Sequence, residues 1–281
     1  MLRHTFCHIP GIGFATEKKL WNCGVTDWHK WKDPVPVKVP ASTRHDAAII
    51  LDQSLTALDR NNPSFFTSRL ASSESWRIFS LFRNSTAYLD IETTGLDEAA
   101  EITTIALYDG NTVFTYVNGI NLDRFVDDIY NYSVIVSYNG KSFDIPFIEN
   151  YFRISLDHAQ IDLRYVLAKL GFKGGLKGCE KMVGMNRGNL AGVDGYFAVL
   201  LWREYLRNND RRVLDTLLAY NIEDTVNLER LAVEAYNRNV QMTPFGADLA
   251  LTCPPSPPNP YVADNDIIAL LKRTSAQNRG W

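Results

Sequence analysis

Four carboxylates and one tyrosine stand at three separate places along the chain. Asp90 and Glu92 form an Asp-x-Glu pair after an apolar run, Asp144 ends the stretch Tyr-Asn-Gly-Lys-Ser-Phe-Asp, and Tyr220 and Asp224 form a Tyr-x-x-x-Asp pair. Oxygen-only ligand sets favour Mg²⁺ or Mn²⁺. Two such ions about 3.5–4 Å apart can hydrolyse a phosphodiester, because one activates water and the other stabilises the departing oxygen. The residue types therefore predict a two-metal phosphodiesterase.

The local periodicity explains how these side chains can meet. Residues two apart in a strand share a face, so Asp90 and Glu92 project together, and residues four apart in a helix share a face, so Tyr220 and Asp224 do the same. Asp144 stands at the start of a predicted helix, and an N-cap role competes with metal binding. Converging carboxylates repel one another and raise their pKa values unless cations lie between them. A tyrosine hydroxyl with an ordinary pKa of about 10 stays protonated and can orient the attacking water.

The elements that carry these residues follow from hydrophobic periodicity and turn signals. Strands are predicted at 86–92, 102–108, 112–117, 134–138 and ending near 161–162, with a hairpin turn at 109–111 and helices at 122–130, 145–152 and 211–237. Because the later strands alternate with helices, they should be parallel and covered on both faces.

Four zones are predicted along the chain. Residues 1–33 resemble a helix-hairpin-helix element, 34–84 form a helical connector, 85–240 carry the catalytic domain, and 241–281 form a Pro-rich tail of polyproline type with a short helix at 264–273. In the first zone Gly11 and Gly13 precede helices predicted at 16–23 and 26–31, with Thr16 and Thr26 as N-caps. In the second zone a helix over 47–58 follows a Ser-Thr cap at 42–43. The glycine turn can present backbone N–H groups to a phosphate, or it can serve only in packing.

Composition limits the function classes. The chain has 281 residues, of which 46% are hydrophobic and 22% charged, as expected for a globular protein with one large domain or a medium domain and an appendage. No apolar run approaches the roughly 20 residues of a membrane helix, so a cytoplasmic protein without membrane contact is predicted. The four cysteines lack zinc or disulfide spacing.

Positive charge is concentrated in one stretch despite a net charge of −3. Between Arg164 and Arg212 there are ten basic and four acidic residues, Asp194 being one of the acidic ones. Such a stretch beside an acidic metal site suits an enzyme that binds a polyanion, although a solvated helical surface would have the same composition.

Three motifs together resemble a known family. They are Asp-Ile-Glu-Thr-Thr-Gly at 90–95, Ser-Tyr-Asn-Gly-Lys-Ser-Phe-Asp-Ile-Pro-Phe at 137–147 and Tyr-Asn-Ile-Glu-Asp at 220–224. They look like the exonuclease motifs of the DEDDy group in the ribonuclease H-like superfamily, similar to the proofreading domains of family B DNA polymerases and to the YprB-type predicted exonucleases. Pro-Gly-Ile-Gly at 10–13 and Gly-Leu-Lys-Gly-Cys-Glu at 175–180 also fit that family, so the resemblance spans residues 5–240.

The resemblance implies an α/β fold with a mixed five-stranded sheet flanked by helices, and cleavage of DNA or RNA from a free 3′ end with two Mg²⁺ or Mn²⁺ ions. Asp90 would bridge both ions, Glu92 and Asp224 would bind the ion that activates water, Asp144 would hold the second ion, and Tyr220 would position water. Protein partners cannot be inferred.

Other polar residues have competing interpretations. Asn139, Lys141, Lys173 and Lys177 are candidate nucleic-acid contacts, although a turn explains Asn139 and a solvated loop explains the lysines. Asp162 could join the metal shell, but a helix N-cap suits its position better. Two other functions remain open: a nucleic-acid-binding adaptor without catalysis, which has no reason to keep four carboxylates, and a ribonuclease H-like endonuclease, which lacks the helical Tyr-x-x-x-Asp pair.

Overall fold

The computed structural model describes residues 1–97, 99–190 and 195–278. Five strands form one sheet: β1 (Thr86–Thr93), β2 (Ile102–Tyr108), β3 (Val113–Val117), β4 (Val134–Ser137) and β5 (Ala159–Asp162). The α-helices are α1 (Phe14–Asn22), α2 (Ala41–Asp59), α3 (Ser64–Thr67), α4 (Phe79–Phe82), α5 (Arg124–Ile129), α6 (Asp144–Phe152), α7 (Leu163–Lys169), α8 (Gly175–Met182), α9 (Gly195–Asn208), α10 (Arg211–Gln241), α11 (Gly246–Leu249) and α12 (Asn265–Asn278).

The sheet has the order β3-β2-β1-β4-β5, with β1 at its centre. β1 pairs antiparallel with β2 and parallel with β4, and β4 pairs parallel with β5. The predicted hairpin turn joins β2 to β3, where Asp109 accepts the backbone N–H groups of Asn111 and Thr112 at 2.8 and 2.7 Å. The mixed five-stranded sheet flanked by helices confirms the predicted fold class.

Strand alternation decides which face of the sheet carries the acidic pair. Leu89 and Ile91 belong to a core cluster with residues of α5 and α6, whereas Tyr88 belongs to the cluster that includes α10. Asp90 and Glu92 share the face of Tyr88, because successive side chains point to opposite sides. The acidic pair therefore lies on the face of β1 that packs against α10, the helix that carries the third motif.

The N-terminal helices differ from the prediction. α1 begins at Phe14 with Gly13 as its N-cap, so Thr16 lies within the helix and does not cap it. The second predicted helix is a 3-10 turn, Trp28–Lys30, capped by Asp27 instead of Thr26 because the Asp27 carboxylate accepts two backbone N–H groups.

The connector helix also begins earlier than predicted. α2 starts directly after Pro40, so the Ser-Thr pair at 42–43 lies in its first turn and makes no side-chain cap. The stretch from 64 to 85 forms α3, a 3-10 helix (Ser72–Ile78), α4 and a further 3-10 helix (Arg83–Ser85).

A buried ionic network joins the N-terminal region to the connector. Arg77, which is fully buried, donates to the Glu17 carboxylate at 2.8 Å and to Glu74 at 2.7 Å. Arg77 also donates to the Thr5 hydroxyl at 3.2 Å, and Glu17 accepts the Phe6 N–H at 2.6 Å. Apolar residues of this region share one core cluster with the sheet and α10. The boundaries of the four predicted zones stay a prediction.

The Pro-rich segment runs along the protein. Asn259 donates to the Ala219 carbonyl at 2.8 Å, and the backbone N–H of Asp264 donates to the Thr216 hydroxyl at 3.0 Å. α12 then packs Ile267, Ile268 and Leu271 into a cluster with α9 and α10. The predicted short helix at 264–273 thus corresponds to the start of α12, and residues 279–281 of the predicted tail lie outside the described residues. Among the described helices, none is both long and apolar enough to cross a membrane.

Candidate metal centre

Three of the predicted carboxylates meet where β1 ends beneath α10. One carboxylate oxygen from each of Asp90, Glu92 and Asp224 can be chosen so that all three lie within 4.8 Å of one another. Glu92 and Asp224 are 8% and 6% exposed. The three side chains line a cavity of about 670 Å³. Their oxygens can therefore bind the same ion or adjacent ions.

Asp144 reaches the same cavity from the loop after β4. Since β1 and β4 are parallel, their carboxyl ends share one edge of the sheet, and Asp144 begins α6 just beyond that edge. Its side chain makes no cap: Phe143 occupies the N-cap position, and Oδ1 of Asp144 accepts the backbone N–H of Ile91 at 3.3 Å. The competing N-cap interpretation of Asp144 is therefore wrong, and its carboxylate faces the strand that carries the acidic pair.

Burial and mutual repulsion perturb these carboxyl groups strongly. Burial, followed by the charges of Asp224 and Glu92, raises the pKa of Asp90 well above its ordinary range, although an amide hydrogen bond from Asn221 at 2.7 Å opposes the shift. Burial and Asp224 likewise raise the pKa of Glu92, and burial raises the pKa of Asp144 to about 7. Clustered carboxylates with perturbed pKa values suit hard divalent cations, which supply the positive charge that the buried oxygens require.

Tyr220 lies in the cavity with a cation on its hydroxyl. Lys177 donates from Nζ to the Tyr220 hydroxyl at 2.7 Å, and Nζ lies 4.7 Å from the centre of the ring. Burial and the charge of Asp224 raise the tyrosine pKa further above 10, so the phenol keeps its proton at neutral pH. Lys177 was predicted to contact nucleic acid or to lie in a solvated loop. The loop interpretation is wrong, because Lys177 is on α8 and faces the cavity.

An arginine that sequence reasoning missed touches the metal centre. Arg187, whose side chain is 7% exposed, donates to the Glu180 carboxylate at 2.5 and 2.7 Å and forms an ion pair with Asp224. Glu180 also accepts from the Asn227 amide at 2.9 Å. Arg187 follows α8 in an irregular segment without periodicity, so no local signal identifies its partner on α10. Asn221, which holds Asp90, was overlooked although it belongs to the Tyr-Asn-Ile-Glu-Asp motif.

Part of the positive charge between residues 164 and 212 is paired with carboxylates. Lys169 pairs with Glu74, Arg207 with Glu204, Arg211 with Asp215, and Arg212 with Asp210 and Asp264. Asp194, which was counted in the stretch, lies outside the described residues. The solvated-surface interpretation therefore accounts for part of this charge, and the polyanion-binding interpretation stays a prediction for the rest.

The remaining predicted contacts lie at different distances from the cavity. Asn139 lines it in a left-handed conformation with φ of 68°, and Lys173 is exposed just before α8. Lys141 lines a neighbouring groove, while Gly11, with φ of 82°, and Gly13 line another.

Asp162 holds the turn between β4 and α6. It caps α7 by accepting the backbone N–H of Arg164 at 3.0 Å, and it also accepts the N–H groups of Asn139 at 2.8 Å and Lys141 at 3.2 Å. Since these contacts occupy both of its carboxylate oxygens, the structure agrees with the cap interpretation rather than with metal binding.

Comparison with known proteins identifies the superfamily of the chain. A family model of the RNase H superfamily matches residues 87–236, which is more than half of the 281-residue chain. The chain belongs to the RNase H superfamily. A family B DNA polymerase from the hyperthermophilic archaeon Pyrobaculum calidifontis is a structural neighbour, with a TM-score of 0.43 and 16% identity over 56% of this chain and 24% of the polymerase. The chain thus spans about a quarter of the length of that polymerase. No curated protein matches the chain.

The RNase H superfamily match includes the whole candidate metal centre. RNase H-like nucleases usually require divalent metal ions, and the matched range contains all five residues of the predicted site. The donor set of this RNase H-like domain fits such ions, since its clustered ligand atoms are carboxylate oxygens and their negative charges are crowded.

Proposed function

We propose that this protein is a two-metal-ion-dependent 3′–5′ exonuclease of the DEDDy type, related to the YprB-type enzymes, which hydrolyses DNA or RNA. The observation that carries the proposal is the meeting of Asp90, Glu92 and Asp224 within 4.8 Å beside the Tyr220 hydroxyl. Asp144, hydrogen-bonded to β1, completes the acidic set. We expect the enzyme to act in the cytoplasm on strands with a free 3′ end.

Each residue of the site has a distinct task. Asp90, whose charge interacts with those of the other three carboxylates, would hold both ions, Glu92 and Asp224 would hold one of them, and Asp144 would hold the other. The ions supply Lewis-acid chemistry, by which water is activated and the developing charge on the phosphate and departing oxygen is stabilised. Tyr220 keeps its proton, so its hydroxyl acts by orienting water and does not act as a base.

The cavity walls suit the end of a strand. Phe143, Leu176 and Tyr196 line the cavity together with Leu96, which is 85% exposed. Aromatic and apolar surfaces bind unpaired bases by stacking, at about 1–3 kcal/mol per base and with little sequence preference. A terminal nucleotide can thus place its base on this wall and its phosphate at the carboxylate cluster.

The test is hydrolysis of single-stranded and duplex DNA and RNA, labelled separately at the 5′ and 3′ ends, with Mg²⁺, Mn²⁺ or chelator. We expect a one-nucleotide ladder from 5′-labelled strands and early release of mononucleotide from 3′-labelled strands. Asp90→Asn and Asp224→Asn should lose cleavage because each removes a charged metal ligand. Asp52→Asn, an exposed substitution on α2, is the matched control.

The outcomes separate the competing functions. Full activity in Asp90→Asn and Asp224→Asn would refute the proposed site. Internal fragments without a ladder would indicate an endonuclease. Retarded but uncut strands under every metal condition would indicate a binding adaptor.

A further inference from the structure

The linings of three grooves include residues near the metal centre and at the N-terminal glycine turn. Asn139 lines the catalytic cavity, and Lys141, two residues later, lines a second groove of about 650 Å³. Ser68 and Arg69 line this second groove and also a third of about 550 Å³, whose other lining residues are 7–13. The second and third grooves therefore share a wall, and the second groove begins two residues from the lining of the cavity.

Three basic residues lie beside these grooves: Arg164, Lys141 and Arg69, which we call the basic track. Arg164 donates to the Asn139 side-chain carbonyl, and Lys141 donates from Nζ to the Ser72 hydroxyl at 3.1 Å. Both of these acceptors are neutral, and within residues 1–97, 99–190 and 195–278 none of the three members of the track forms an ion pair. Their positive charge is thus not cancelled by a direct carboxylate contact, unlike that of Lys169 or Arg211.

The Arg69 side chain is held against Phe65 and Ser68. Its guanidinium carbon lies 3.8 Å from the centre of the Phe65 ring, and Nη1 donates to the Phe65 carbonyl at 2.9 Å and to the Ser68 hydroxyl at 3.3 Å. Arg69 remains exposed. A guanidinium has five N–H donors, and the hydrogen bonds to Phe65 and Ser68 use Nη1 alone. A preorganised, exposed arginine of this kind suits phosphate recognition.

Two carboxylates moderate the charge of the second groove: Asp157, and Asp162, which is close enough to Lys141 to interact with its charge. Asp157 lines the groove and accepts from the Ser155 hydroxyl at 3.0 Å. The same groove contains His158, whose pKa is lowered chiefly by burial, so this histidine adds no positive charge at neutral pH. Lys141 and Arg69 are therefore the groups in this groove that can attract a phosphate.

We propose that the basic track binds successive backbone phosphates of the nucleic-acid strand whose 3′ end lies in the catalytic cavity, and guides that strand toward the glycine turn. The inference rests on the proposed exonuclease function and adds a substrate class: strands longer than the cavity can hold, bound without regard to sequence. Contacts to phosphates fix the position of a strand and carry no base information.

The track predicts how affinity depends on salt and length. For single strands the slope of log K against log salt is about −0.7 for each phosphate contact, so losing one contact lowers affinity about fivefold at 0.1 M salt. A strand short enough to stay within the cavity does not reach Arg69, which lines only the second and third grooves, so its affinity should not change in Arg69→Gln.

The experiment is fluorescence anisotropy with labelled oligo(dT) and oligo(U) strands of about 20 and about three nucleotides, in chelator, over a range of KCl concentrations. We expect Arg69→Gln and Lys141→Gln each to raise the Kd of the long strand about fivefold at 0.1 M salt and to reduce the slope by about 0.7. Arg69→Lys should keep the salt slope, because it keeps the charge, but should recover only part of the affinity, because lysine lacks the guanidinium donors. Arg211→Gln, exposed and paired with Asp215, is the matched control.

The outcomes distinguish the track from the exonuclease itself. Cleavage of both strands by the wild type, with an unchanged long-strand Kd and slope in Arg69→Gln and Lys141→Gln, would overturn the track and leave the exonuclease in place. Track-dependent binding without any cleavage would overturn the exonuclease and leave the track. If the variants melt at the same temperature as the control variant, their weaker binding is not caused by unfolding.

Discussion

The buried carboxyl of Asp144 makes the metal-free protein less stable as pH rises. Asp144 is 5% exposed, and burial raises its pKa from 3.8 to about 7. The folded state then holds this proton more tightly than the unfolded state does. The contribution of Asp144 to the free energy of unfolding is therefore fully present below pH 3.8 and is lost as pH rises toward 7. A difference of about three pKa units corresponds to about 4 kcal/mol at pH 8.

Asp144→Asn should recover this free energy. Asparagine has nearly the same shape and keeps a carbonyl that can accept the Ile91 N–H, but it does not ionise. In chelator at pH 8 we expect the free energy of unfolding to increase by about 3–4 kcal/mol, and at pH 4 by less than about 1 kcal/mol. Urea titrations at both pH values measure the increments, and Asp52→Asn on the exposed side of α2 should change neither.

Divalent ions should reverse the advantage of Asp144→Asn. A ligand that binds only the folded state stabilises it by an amount that grows with affinity, and the variant has lost a charged ligand. In saturating Mn²⁺ the wild type should therefore gain more stability than Asp144→Asn. An increment in chelator that is the same at pH 4 and pH 8, or a variant less stable than the wild type at pH 8, would refute the burial argument.

Three further predictions concern groups around the cavity and the N-terminal network. Arg187→Gln removes the cation from Asp224 and should lower the free energy of unfolding in chelator by about 3–5 kcal/mol, with Mn²⁺ restoring part of the loss; melting in chelator no different from the wild type would contradict this. Tyr220→Phe should lower turnover about 100-fold with little change in the Kd for nucleic acid, as measured by single-turnover cleavage and anisotropy; an unchanged rate would remove Tyr220 from the mechanism. Arg77→Met leaves Glu17 buried without its partner and should cost about 3–5 kcal/mol in urea titration, and a cost below about 1 kcal/mol would show that the network is not a stabilising one.

The sequence predicted the elements whose signals are local. Strand β2 has the predicted bounds, since it ends at a strong turn signal, and Asp90 and Glu92 share a face because the strand period is two. α10 was predicted at 211–237 and continues to Gln241. The mixed sheet followed from hairpin spacing in one half and strand–helix alternation in the other.

Features that depend on distant residues could not be predicted in this way. The ion pair of Arg187 with Asp224 joins an irregular segment to the long helix, and no periodic pattern records it. Thr16 and Thr26 have the residue type of an N-cap, but Gly13 and Asp27 take those positions. Cap preference differs by only about 1 kcal/mol between residue types, which tertiary packing can exceed.

α9 separates the catalytic cavity from the C-terminal helix. Tyr196, Val199 and Arg203 on one side of α9 line the cavity, while Phe197 and Leu201 on the other side pack in the cluster with α12. The width of this cavity is therefore set partly by residues outside the three sequence motifs. Substitutions where α9 packs against α12 can alter which strand ends fit the cavity, including bulky, modified or paired ends. The metal ligands stay unchanged. Two enzymes with identical catalytic motifs could thus differ in substrate range through their C-terminal segments.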